Sequence, residues 1–148
     1  MTANTNYIRT GFYDDFKGYD TVLISVDMNG LLEVEDAFSQ LSQGRQKFDF
    51  SELRLLDKKY HVDLIAYSDA KNLGLKRADK KKFEWRLTKD MWHHFKELLK
   101  SMTISKTHGH HYLDADEGNI DGSSLQVVFS FDEYPLSFWE EHFASCNS

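Results

Sequence analysis

The sequence predicts a single α+β domain over residues 1–148: a mainly antiparallel sheet of five to seven strands, two main helices on one face, and a short C-terminal helix. Three observations carry this. Apolar, β-rich runs recur at 20–27, 62–68 and 125–131. Residues 83–87 alternate strictly between apolar and charged. Apolar stripes at helical spacing follow the first run and the alternating segment. With 41% hydrophobic and 14% aromatic residues, the chain can close a core, because each buried aromatic removes a large area from water. Only the ends, 1–6 and 145–148, are polar and small enough to be expected disordered.

In DTVLISVD at 20–27, Val22, Ile24 and Val26 share one face while Leu23 faces the other, which predicts a central strand covered on both sides. Met28-Asn29-Gly30 turns the chain into a helix with Leu31, Val34, Phe38 and Leu41 inward and Glu33, Glu35 and Asp36 on the wet side. Gly44 is placed to end it. Residues 48–56 and 60–68 read as two strands joined by a hairpin at Asp57-Lys58-Lys59. The polar, basic stretch 69–81 reads as a loop. Phe83, Trp85 and Leu87 then face inward from a strand whose other face carries Glu84 and Arg86. Thr88 caps a second helix with the stripe Met91, Trp92, Phe95, Leu98, Leu99 and Met102. A short strand at 110–113, an Asp- and Gly-rich turn and the strand 125–131 follow, and Pro135 precedes a short helix over 136–143.

The two halves, 20–69 and 82–132, repeat this order at an offset of about 60 residues, and VDLIAYSD at 62–69 aligns without gaps with LQVVFSFD at 125–132. A duplicated βαββ unit forming one sheet would produce this; so would chance alternation of strands and helices.

A net charge of −6 argues against nucleic acid as a partner and favours a basic protein. The basic run KRADKKK at 76–82 is short enough to be a solvated loop. Cys146 is the only cysteine, so no intrachain disulfide forms. The start MTANTNYIRTGFY lacks a signal-peptide pattern and no segment is apolar enough to span a membrane, so the expected compartment is the cytoplasm.

The chemically able groups crowd at HGHHYLDAD, 108–116. On an extended segment His108 and His110 share a face, and with Asp114 they could hold a divalent metal, helped by His111, Asp116, His94 or His142. The spacing nevertheless fails the HxHxDH pattern, because Tyr112 stands where the Asp belongs. The cupin pattern fails as well, because Glu117 comes too late after the histidine pair. A polar, His-rich turn explains the residues without a metal. DADEGNIDG at 114–122 fails an EF-hand at Gly118, Asn119 and Leu125. His93 and His94 diverge by about 100° on a helix and cannot chelate together. The adjacent carboxylates Asp14-Asp15, Asp132-Glu133 and Glu140-Glu141 point apart, and no nucleophile elbow or phosphate-cradling loop is present.

No catalytic residue is assigned. Tyr134, Phe138 and Trp139 stand amid acidic residues as candidate protein-binding anchors, with closure of the core edge as the competing role. The leading expectation is a non-enzymatic module that binds a basic protein, in the manner of an immunity-type toxin inhibitor. A metal-dependent enzyme built on His108, His110 and Asp114, or a homodimer formed through a sheet edge, are the alternatives.

Overall fold

Eight strands and three helices appear in a computed structural model that describes residues 6–16, 19–80, 82–106, 109–113 and 125–146. In chain order they are β1 (Ile8–Phe16), β2 (Tyr19–Val26), α1 (Met28–Ser42), β3 (Lys47–Asp49), β4 (Asp63–Ser68), β5 (Gly74–Asp79), β6 (Lys82–Leu87), α2 (Lys89–Ser105), β7 (Gly109–Tyr112), β8 (Gln126–Phe131) and α3 (Leu136–Cys146), with a single 3₁₀ turn at Phe50–Glu52. The class is α+β, as the patterning predicts. The single sheet is not: the described residues form two sheets of four strands.

The terminal sheet has the order β1-β2-β8-β7 and the middle sheet β3-β4-β6-β5. In each, an antiparallel hairpin lies on either side of a central parallel pair, β2 with β8 and β4 with β6. The repeating order is therefore ββαββ, not βαββ, and each half sends its second hairpin into the sheet begun by the other half's first hairpin. The correspondence reaches single residues. Leu31, Val34, Phe38 and Leu41 bury the inner face of α1, and Trp92, Phe95, Leu99 and Met102, each 61 positions later, bury that of α2. The caps match too: Asp27 accepts from the Gly30 N–H, and Thr88 from the Met91 N–H.

Local chemistry explains the element ends. Gly44, at φ 111°, closes α1 with the Gly44 N–H on the Leu41 carbonyl and the Arg45 N–H on the Gln40 carbonyl, the pair of bonds that defines a Schellman end. Residues 53–60 do not form the expected hairpin. Their backbone serves β1 instead, through Ile8 N–H to Leu55 O (3.0 Å), Asp57 N–H to Ile8 O (2.8 Å) and Thr10 N–H to Tyr60 O (3.2 Å). The basic stretch expected as a loop contains β5, an edge strand whose exposed Arg77 and Asp79 fit a position with one side in solvent.

The main core joins the inner faces of both sheets to both helices. At its centre Trp85 and Trp92 meet edge to face at 4.9 Å, Phe38 lies 5.1 Å from Trp92, and the Trp92 indole N–H donates to the Tyr67 carbonyl at 3.0 Å. Phe12 on β1 contacts Phe83 on β6 at 5.4 Å, tying the two sheets together.

The sheets differ on their outer faces. α3 covers the terminal sheet, where Tyr13, Leu23, Tyr60, Val128 and Trp139 form a second core. This is why β2 is buried on both faces, with Leu23 fully covered in that second core, whereas β6 alternates buried and half-exposed residues. Trp139 presses so closely on β1 that a Cβ at Gly11 would meet its ring at 2.8 Å. Gly11→Ala should therefore lower stability in urea titrations by about 1–3 kcal/mol. In a Trp139→Ala background, itself weakened by about 3–5 kcal/mol, the same change should cost almost nothing; an equal cost in both backgrounds would refute the contact.

Candidate functional site

A row of polar residues crosses the terminal sheet on its outer face, just beyond the part that α3 covers. Arg9, Ser25, Ser130 and His110 are cross-strand neighbours on β1, β2, β8 and β7. The next row, Gly11, Leu23, Val128 and Tyr112, lies beside Trp139 and is mostly apolar. The polar row sits at the carboxyl ends of the parallel pair β2–β8. From there one chain departs into α1, against the main core, and the other turns back into α3 on the opposite face.

Two adjacent carboxylates work in different directions here. Asp132, held at φ 55°, accepts from the Tyr7 hydroxyl at 2.9 Å. Glu133 turns back over the row, where its Oε1 accepts from the Ser130 hydroxyl at 2.7 Å and its two oxygens lie 3.1 and 3.2 Å from His110 Nδ1. Tyr112 meets the His110 ring edge-on at 5.6 Å. Arg9 pairs with Asp57 at 3.0 Å and stacks under the Tyr7 ring at 4.2 Å.

Burial shapes the titration of this cluster. The Tyr7 phenol is pushed up by burial and then by the Asp132 carboxylate beside it. Asp27 is raised chiefly by burial, against the N–H bonds it receives from Gly30 and Tyr7, and the negative charge of Asp132 adds to the rise. Tyr134 is raised by burial, by Glu133 and by Tyr112. Burial and the neighbouring His110 lower His111.

The histidines and aromatics singled out by sequence fall as follows. His110 joins Glu133 and Ser130, while His108, Asp114 and Asp116 lie outside the described residues, as does the side chain of His142. Among the described residues no three metal-ligating groups converge. His93 and His94 are exposed on α2, apart from this cluster. Tyr134 and Phe138 are half-buried and their rings meet at a tilt with centroids 4.7 Å apart, and Trp139, in the same cluster, is 2% exposed, so all three pack inward on the sheet. Sequence reasoning missed Ser130 and the pairing of Glu133. Its one available signal was an Asp-Glu pair directly after a strand, where a turn sends the two side chains apart.

A second feature is a groove of about 530 Å³ along α1, lined by Asn6, Asn29, Leu32, Glu33, Asp36, Arg54 and Leu55. Glu33 is built into its wall, accepting the backbone N–H of Arg54 at 2.7 Å and of Leu55 at 3.0 Å. Asn29 donates to Asn6 at one end. Compared with protein-family models, with curated proteins and with solved structures, the chain finds no match. No helix among the described residues is long and apolar enough to cross a membrane.

Two predictions follow from this geometry. Because burial raises Asp27, its ionised form is penalised in the fold, so its contribution to stability is greatest at low pH and is lost as pH rises through the raised value. Asp27→Asn keeps an N-cap acceptor of similar quality and cannot ionise. Its stability relative to the parent should improve as pH rises from 3.5 through the raised Asp27 value and then level off, read from thermal melts; a difference constant from pH 3.5 upward would contradict the burial argument. In nitrogen-detected NMR, His110 should carry its proton on Nδ1 when neutral, facing Glu133, and Glu133→Ala should abolish that preference.

Proposed function

We propose that this chain is a non-enzymatic interaction module that binds a basic protein, with an immunity-type inhibitor of a basic toxin as its concrete form. One observation supports this reading above the others. The fifteen residues of α1 include Glu33, Glu35 and Asp36 but no lysine or arginine, and this acidic face borders a groove with a leucine open to solvent. A one-signed face raises the encounter rate with an oppositely charged partner, and an apolar residue within it supplies contact area once the two have met. We place this activity in the cytoplasm.

Capture from a lysate of the native host tests the reading. A basic protein should be retained at 50 mM salt and released as salt approaches 0.5 M, where exposed charges are screened within a few ångströms. Reversing Glu35 and Asp36 to lysine should slow association about tenfold or more. A captured partner that is acidic, or indifferent to salt, would overturn it.

A second reading, a metal-dependent enzyme, is favoured by one contact. The Glu133 carboxylate faces His110 Nδ1, an arrangement that leaves Nε2 as the ligating nitrogen, as second-sphere carboxylates do in metal sites. His108 and Asp114 would complete that set. Protein purified without a tag should then carry stoichiometric metal that His110→Ala removes; metal-free protein that takes up no zinc on dialysis would eliminate it.

A further inference from the structure

We propose that the groove along α1 is where the basic partner docks, and that it takes a short segment in which a lysine or arginine neighbours an aliphatic residue. This deepens the interaction-module reading and rests on it.

The apolar part of the argument is Leu32. Every other large apolar residue of α1 is buried or half-buried, yet Leu32 is 48% exposed, and it sits in the groove beside half-buried Leu55. The pair makes a small apolar floor, open on the solvent side. A floor of this kind suits an aliphatic side chain or the methylene stem of a lysine.

The charged part is Asp36, one helical turn beyond Leu32, together with Glu33. Both carboxylates are held in place before any partner arrives, Glu33 by two backbone N–H groups and Asp36 by the Gln40 amide at 2.8 Å. Preorganised acceptors bind a cation without first losing rotamer freedom. The wall's own cation, Arg54, pairs with Glu33 at 3.8 Å, but its side chain is 85% exposed, so water screens that pair and a partner's cation can compete for it. A volume of about 530 Å³ lies within the range of ligand-sized sites. The same engagement of Glu33 and Asp36 with protein donors argues against a bare metal ion as the occupant.

The probe is an acetylated, amidated hexapeptide of alternating lysine and leucine, titrated into the ¹⁵N-labelled full chain. The backbone amides of Asn29, Leu32, Glu33, Asp36 and Leu55 should shift and saturate. Asp36→Lys and Leu32→Asn, both at exposed positions, should each weaken binding about fivefold, and a hexapeptide of alternating glutamate and leucine should leave the spectrum unchanged. Shifts that fail to saturate, that centre on another surface, or that persist in both variants would overturn the docking site. The two levels separate cleanly. If the variants still capture a salt-sensitive basic protein, the groove fails while the interaction module stands; if the parent chain captures none, both fail.

Discussion

The pairing of β2 with β8 holds this fold together. Thr21 and Gln126, bonded through their side chains at 2.9 Å, lie 105 residues apart in sequence. No local preference brings such segments together. They meet because α1 and α2 pack against each other and carry the two halves into opposition, so that each sheet is completed by strands from the other half. The aromatic knot of Phe38, Trp85 and Trp92 spans that junction. A large-to-small change there would loosen both helices and the middle sheet at once, because each ring touches elements from both halves.

Burial pattern was legible in the sequence wherever one residue's environment depends on its nearest neighbours. Leu23, set among valines and isoleucine, marks a strand covered on both faces, and the alternation of Phe83, Trp85 and Leu87 with Glu84 and Arg86 marks one covered on a single face. The helix stripes and their caps were equally plain. Partner choice was not. Nothing in residues 53–60 says that their backbone bonds will go to β1, and a polar β5 has no pattern to separate it from a loop. The same limit applies to the polar row. His110 drew notice through its histidine neighbours, but Glu133 lies 23 residues away, and its return depends on the positive φ of Asp132.

The polar row has an energetic meaning. A sheet face adjoining a packed helix would gain stability from apolar residues, yet here it carries an arginine, two serines and a histidine, with a buried Asp27 next to them. Each buried polar group of this kind must be matched by a donor or acceptor to avoid a penalty of about 1–3 kcal/mol. Asp57 matches Arg9, Glu133 matches Ser130 and His110, and the Gly30 and Tyr7 N–H groups match Asp27, whereas the buried Ser25 hydroxyl finds no hydrogen-bond partner among the described residues. At the turn before α3 packing and polar matching meet: Glu133, which engages Ser130 and His110, lies in the segment that leads the last helix over the sheet.

The exchange of hairpins also orders events during synthesis. All four strands of the middle sheet lie between residues 47 and 87, so they can assemble as soon as that stretch leaves the ribosome. The other sheet must wait for residue 131, and until then β2 shows an apolar, hydrogen-bonding flank with nothing beside it. A nascent chain in that condition is open to strand capture by a neighbouring copy. Slow translation across 88–125 would lengthen this exposed interval, making aggregation of partly made chains a cost built into the topology itself.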